Sequence, residues 1–397
     1  MKKRFLSWLL VLTMVISLIP STLVTTALAA ELPANAPDLT FTGDSAEITK
    51  NSAYTLTGDL TGKTVTVKNN AVVTLVLDGV TMSDAASPLR LAEGASVTLI
   101  VKDGTTNTIT CTAAAADTTN NGMTAGISVP EGTALTIDTP KNSQGTGKLT
   151  VTGGYGGAGI GGGAAVGQST TKNAMVAANG TKAPNAEGYI NYQLICSTVG
   201  GSGGYGGESG LNGANAESAG TVNIKNGVLT VIGGTGGAGI GGGMGAAGSN
   251  GKSGTEGGKG ENGISVNRYV NGIQTIQGVG GAGGGGGGQG GIGGVGGTGG
   301  AGAALNIENG SLTITAGAGA AAIGGGAGGV GGKGATGGNG GIGGNNVTIS
   351  SGVALLNPGT GGGGQGGQGG TGGSGGTGGA GGSVNITGGT ISLSSAD

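Results

Sequence analysis

The stretch Val279–Ala303 (VGGAGGGGGGQGGIGGVGGTGGAGA) sets the tightest limit on what this chain can fold into. From Gln289 onward it keeps a period of three, with Gln289, Ile292, Val295, Thr298 and Ala301 separated by glycine pairs. Three residues per turn is the period of the polyproline-II helix, which rises about 3.1 Å per residue and makes no internal hydrogen bonds. Wherever such a thread is buried, its N–H and C=O groups need neighbours. With glycine on two ridges of three, no Cβ stands between this backbone and the next, so other threads can come within hydrogen-bonding range. The pattern predicts a helix packed inside a bundle of its own kind.

Glycine makes up 104 of the 397 residues, while 9% are charged and 2% aromatic. Average glycine usage is about 7%. Low complexity ordinarily marks disorder, but here the glycines are in phase and alternate with clear β segments. Collagen, the other glycine-every-third fold, needs abundant proline, and residues 245–303 contain none. Disordered glycine-rich loops are the stronger rival, since glycine loses more entropy on ordering than any other residue. Interhelix hydrogen bonds of roughly 1 kcal/mol net each must offset that loss.

Residues 1–30 read as a secretory signal. Lys2, Lys3 and Arg4 form the charged start, Phe5–Ile19 the apolar run and Ala27-Leu28-Ala29 the small-residue cleavage site. The run is short for a membrane span, so no span is expected after its removal. The remaining chain carries 14 basic against 19 acidic residues. A mildly acidic exported protein, secreted or held at the cell surface, is a poor candidate for nucleic-acid binding. Cys111 and Cys196 stand 85 residues apart without a spacing motif. Export permits a disulfide; two buried small hydrophobes is the plainer alternative.

Residues 31–163 form an N-terminal unit of short strands. Clear cases are Thr64–Val67, Val72–Leu77, Val97–Val101, Asn107–Cys111 and Ala134–Ile137. They alternate apolar and polar and are broken by Asp78-Gly79, Glu93-Gly94, Asp103-Gly104 and Glu131-Gly132. A sandwich or a solenoid could be built this way. Residues 164–397 decide for the solenoid. The unit KLTVTGGYGGAGIGGG (148–163) returns as TVNIKNGVLTVIGGTGGAGIGGG (221–243) and ALNIENGSLTITAGAGAAAIGGG (304–326), with shorter copies from 346 and 383. About 22 residues per unit matches one coil of a stacked β-solenoid. Ile224, Val228, Val231 and Ile240 are the expected inward residues of one coil; Leu305, Ile307, Leu312, Ile314 and Ile323 are those of the next. The fold class expected is all-β: a right-handed parallel β-helix with glycine-rich polyproline-II-like inserts bundled on one face.

The inserts, about 164–219, 244–302, 327–344 and 361–382, all fall at one place in the repeat, and inserts at a fixed corner emerge on one side of a solenoid. The later two repeat the phase of the first stretch, through Val330, Lys333, Thr336 and Asn339, then Gln368, Thr371, Ser374 and Thr377. In 245–263 only one glycine ridge survives, from Gly245 to Gly263. That predicts the charged 245–263 tract on the outside and the two-ridge tracts within.

Two parts of the chain look familiar. VVTLVLDGVTMSDAASPLRLAEGASVTLIVKDGTTNTIT (72–110), AGISVPEGTALTID (125–138) and TGGYGGAGIGGG (152–163) together resemble secreted carbohydrate-binding parallel β-helix proteins of clostridia and related Gram-positive bacteria. The resemblance covers about two thirds of the chain. It implies binding of acidic or cellulosic plant polysaccharide at the cell surface, in some members with calcium. The period-three tracts are similar to the polyglycine-II bundles of the snow-flea antifreeze protein and of some phage tail-tip adhesins, in composition and period alone. The calcium ligands of the first family find no matching motif here; Asp78, Asp84 and Asp103 are the acids nearest the matching strands.

Chemistry has little to work with. Polysaccharide lyases need a strong base and clustered acids holding calcium; histidine is absent, and Arg90 and Arg268 are the only arginines beyond the signal. The GxGxxG matches lack the following helix a dinucleotide site requires, and no glycine nest carries the full GxxxxGK[ST] of a phosphate loop. Turn acids (Asp78, Asp84, Asp103, Asp117) suit calcium but are equally ordinary solvated turn residues. Tyr155, Tyr189, Tyr192 and Tyr205 are the aromatic candidates for stacking on sugar rings, with core packing as their alternative; Tyr189 and Tyr192 lie in a segment resembling a local hairpin. The expectation is a non-enzymatic surface protein binding polysaccharide or a cell-surface glycan, or acting as an adhesin. A purely structural repeat segment of a larger protein is the main alternative, with lyase activity and ice binding behind it.

Overall fold

The computed structural model describes residues 33, 36–116, 119–167, 189–190, 193–194, 201–262, 264–270, 273–279, 282–343 and 364–396. The signal segment, Asp117, Tyr192, Cys196 and the side chain of Tyr189 lie outside the described residues. The strands of the first half are β1 (Ser45–Ile48), β2 (Ser52–Thr61), β3 (Thr64–Val67), β4 (Val72–Asp84), β5 (Leu89–Leu91) and β6 (Ser96–Val101). There follow β7 (Thr106–Cys111), β8 (Ile127–Ser128), β9 (Ala134–Asp138), β10 (Lys148–Thr152), β11 (Ile160–Gly161), β12 (Tyr189–Ile190) and β13 (Gln193–Leu194). The second half holds β14 (Thr221–Ile224), β15 (Val228–Ile232), β16 (Ile240–Gly241), β17 (Ile264–Val270) and β18 (Ile273–Val279). Last come β19 (Ala304–Ile307), β20 (Ser311–Ala316), β21 (Ile323–Gly324), β22 (Val384–Ile386) and β23 (Thr390–Ser395). Among the described residues there is no helix, and so none long and apolar enough to cross a membrane.

Strand pairing is parallel and recurs coil after coil, as in a parallel β-solenoid. One face stacks β1, β3, β5, β8, β11, β16 and β21. A second stacks β6, β9, β14, β19 and β22, and a third β7, β10, β15, β20 and β23. Faces two and three meet in β4, whose first half pairs with β6 and second half with β7. Here the structure departs from the sequence reading, which placed a break at Asp78-Gly79. Gly79 takes a positive φ of 71°, and the partner strand β2 turns with it at Gly58 through a register shift. The dipeptide bends a continuing strand around a corner.

Alternation puts one aliphatic side chain of every second residue inside. Face two contributes Leu75, Leu99, Ile137, Ile224 and Ile307, each in register with the next. Met82, Ile109, Val151, Val231 and Ile314 form the matching ladder of face three. All ten are at most 1% exposed, and burying each contributes about 1.5–3 kcal/mol. Val228 is not among the inward residues; Leu229 takes that place, with Val222 ahead of Ile224. Val228 and Val231 are three apart, so a period of two cannot put both inside.

The glycine tracts leave after β16 and β21 and return before β14, β19 and β22. Toward any one neighbouring tract a backbone donor recurs every third residue, as in Gly204 N to Gly286 O, Gly248 N to Val330 O, Gly285 N to Gly258 O, Gly332 N to Gly294 O and Gly373 N to Gly332 O, at 2.7–2.9 Å. Returning tracts 201–218, 282–302 and 364–382 run in one direction and outgoing tracts 245–261 and 326–343 in the other, as the sense of the hydrogen-bond register requires. Residues 282–302 bond to all four other tracts. Among the described residues the two-ridge tract 364–382 bonds to two others and 245–261 to three, although glycine content predicted 245–261 on the outside. Hydroxyls explain it. Ser249 Oγ and Thr255 Oγ1 accept from Leu211 N and Tyr205 N at 2.7 Å, so a small side chain serves where a glycine was thought necessary.

Candidate functional site

The corner between faces two and three is built of stacked turns. Coil by coil it carries Lys102-Asp103-Gly104, then Asp138–Gly147, Lys225-Asn226-Gly227 and Glu308-Asn309-Gly310. Positive φ values at Gly104, Gly145, Gly227 and Gly310 let each turn close. Between them lies a cleft of ≈ 180 Å³ lined by Asp138, Asn142, Lys225, Asn226, Glu308 and Asn309, among others. Its walls are fixed by side chains. Asn226 Nδ2 donates to Thr139 Oγ1 at 3.0 Å, its Oδ1 accepts from Gly227 N at 2.9 Å, and Asp138 Oδ1 accepts from Thr139 N at 2.8 Å. Asp138 is 3% exposed.

Beside the cleft, the outward column of face two reads Thr98, Thr136, Asn223, Asn306 and Asn385 in register. Asn306 Nδ2 donates to Asn223 Oδ1 at 2.8 Å, so the column is bonded along its own length. Cleft and column offer amides, hydroxyls and a few charges on a rigid backbone, the groups that bind neutral or charged hydroxyl-rich ligands.

Of the acids singled out from sequence, the described three, Asp78, Asp84 and Asp103, each have a partner already. Asp78 pairs with Lys102 at 2.6 Å. Asp84 Oδ1 accepts from Ala86 N at 2.8 Å. Asp103 accepts from Ser143 Oγ at 2.6 Å and from the N–H groups of Gln144 and Thr146 at 3.0 Å. The Ser143 hydroxyl, with these amides, holds the Asp103 carboxyl below the usual carboxylate range. Among the described residues no three His, Cys, Asp or Glu side chains gather where a metal ion could be held.

Tyr155 is 42% exposed in the turn before β11, and Tyr205 is 46% exposed on the 201–218 tract; they stand on separate elements. The backbone of Tyr189 pairs antiparallel with Leu194, the hairpin its sequence resembled. A second hairpin, β17 with β18, escaped the sequence reading, although Asn271-Gly272 between alternating strands is a standard hairpin signal. Asn107 escaped it too: wholly buried, it stands in an inward ladder position and its Oδ1 accepts from Val80 N at 3.0 Å. Cys111 is a buried free thiol that burial pushes up, away from the reactive thiolate. Burial likewise lowers the Arg90 guanidinium, whose Nε donates to Ser87 O at 2.8 Å.

No family model matches this chain, and no curated protein matches it. A solved structure of a polysaccharide lyase-like protein from C. thermocellum, a gadolinium derivative, is similar at 15% identity over 91% of this chain and 77% of that one, with a TM-score of 0.34. That score is too low to place the two in one fold.

Proposed function

We propose that this chain is an exported, non-catalytic surface protein that binds polysaccharide or a cell-surface glycan, one of the secreted β-helix proteins its strands resemble. On this reading the solenoid is right-handed, and the glycine tracts are polyproline-II threads bundled along one side. The bonding of tracts at every third residue supports that conformation, because a three-residue turn returns each N–H to the same side.

The observation that carries the binding role is the polar corner cleft with its adjoining asparagine column. Sugar hydroxyls are satisfied by fixed amides and carboxylates, and a preorganised wall loses little entropy on binding. Histidine is absent from the sequence and burial raises the Cys111 thiol, so a bond-breaking reaction would have to draw on the carboxylates and lysine of the cleft, Asp138, Glu308 and Lys225. The test is retention of the chain, freed of residues 1–30, on cellulose, xylan and polygalacturonate, with and without calcium. Retention without release of product, weakened at least fivefold by combined Asn226→Ala and Asn309→Ala, is the expected result. Passage through every matrix would leave only a structural repeat segment, and steady formation of unsaturated sugars would make it a lyase.

A further inference from the structure

The three returning tracts lie side by side with their non-glycine residues in shared rows. Gly213 N donates to Val295 O at 2.7 Å, and Gly296 N donates to Ser374 O at 2.9 Å. Asn212 Oδ1 accepts from Val295 N at 2.9 Å, and Asn215 Oδ1 from Thr298 N at 3.0 Å. One row is therefore Asn212–Val295–Ser374, and the row before it Ser209–Ile292–Thr371. The same donor–acceptor relation links the first tract to the second and the second to the third, so all these side chains leave the bundle on one side. The two glycine ridges of 282–302 are turned elsewhere, Gly285, Gly288 and Gly291 toward 201–218 and Gly284, Gly287 and Gly290 toward 326–343, which leaves the third ridge to this side.

Read down the tracts, the centre column runs Gln289, Ile292, Val295, Thr298 and Ala301, and its two aliphatic residues are uncovered, with Ile292 51% and Val295 40% exposed. The flanking columns carry exposed amides and hydroxyls at Ser209, Asn212 and Asn215 on one edge and Gln368, Thr371 and Ser374 on the other. None of the three columns contains a charged residue, whereas the opposite side displays Glu256, Lys259 and Lys333. An apolar spine between two hydrogen-bonding margins, without charge, is the complement of one ligand chemistry: an extended neutral glycan chain, whose ring C–H faces are apolar and whose hydroxyls project from both edges. An acidic polysaccharide finds no cation on this side. Asn212 and Asn215 are already held by their oxygens, which leaves their NH₂ groups to donate to the ligand with little further ordering.

We infer that the uncharged side of the glycine bundle is a binding surface for an extended neutral polysaccharide, lying along the Ile292–Val295 column between the Asn212 and Thr371–Ser374 margins. This rests on the carbohydrate reading above and assigns it a second surface, apart from the corner cleft. With a rise of about 3.1 Å per residue, rows recur about every 9.3 Å, so one chain would cross several.

The experiment compares the mature protein with an Ile292→Glu/Val295→Glu variant and with a Val330→Glu/Thr336→Glu variant on the opposite side. All four residues are exposed, Val330 to 71%, with Thr336 sharing a 3.1 Å hydroxyl contact with Ser253, and matched melting curves verify that both variants fold. Depletion onto cellulose and insoluble xylan is measured for each. The proposal expects at least tenfold weaker depletion for the first variant and less than a twofold change for the second. Wild-type retention that the first variant leaves intact overturns the surface but not the carbohydrate reading. Absence of retention on any glycan overturns both. Thermal hysteresis in the wild type, lost in the first variant without any glycan retention, would reassign the surface to ice and overturn the proposal.

Discussion

At the scale of single residues, the glycines of a tract are not equivalent. A Cβ at Gly370 would collide with the carbonyl oxygen of Gly291, whereas one at Gly369 meets nothing nearer than 3.5 Å, the Ala335 oxygen. Gly370→Ala should therefore prise 364–382 from its neighbour and speed amide exchange along that tract. Gly369→Ala should be tolerated, or stabilise by about 0.4–1 kcal/mol by restricting the unfolded chain. Exchange rates at the Gly367, Gly370 and Gly373 amides, bonded at 2.7–2.8 Å, report on both; equal effects of the two substitutions would contradict the register. Asp103 gives a second prediction. Its folded pKa is depressed, so its contribution is present above the unfolded value and lost as pH falls through the lower folded one. As pH falls below the unfolded carboxylate value of about 4, wild type should lose melting temperature relative to Asp103→Asn, with parallel curves above about pH 5.

Among elements, the aliphatic ladder was the part most open to reading. Ile137, Ile224 and Ile307 recur at matching places in successive units, and period two fixes their side of the strand. Ile137→Ala should cost about 2–5 kcal/mol, the range for a buried cavity, measured by denaturant unfolding. Asn107 was illegible by the same rule. A polar residue in an inward position contradicts alternation, and only the corner in β4, which leaves Val80 N needing an acceptor, explains it. Asn107→Leu should thus destabilise by about 1–3 kcal/mol, the cost of an unsatisfied buried amide, despite extending the apolar ladder. The cleft was hidden for a related reason. Asp138, Asn226 and Asn309 lie up to 171 positions apart in sequence, and nothing local marks turn residues as neighbours until coils are stacked.

For the molecule as a whole, charge contributes little to stability. The ion pairs seen among the described residues, Lys63–Asp44, Lys68–Glu47 and Lys102–Asp78, all keep substantial solvent contact, where a pair contributes about 0–1 kcal/mol. Raising salt from about 0.1 to 1 M, which shortens the screening length from about 10 to 3 Å, should move the melting temperature by no more than a few degrees. Chelation should leave it unchanged, since no carboxylate cluster offers calcium a seat among the described residues; a shift with EDTA would point to a cation site outside them.

The β2–β4 pair holds ten residue pairings that continue around a corner through one register shift, whereas β11, β16 and β21 meet through two residues apiece. Parallel strands pulled from their ends shear all their bonds at once, so rupture force should scale with the length of each seam. Stretched between clamps, the later coils should yield first and one by one, and the corner-wrapped strands should hold longest as a mechanical anchor for the rest.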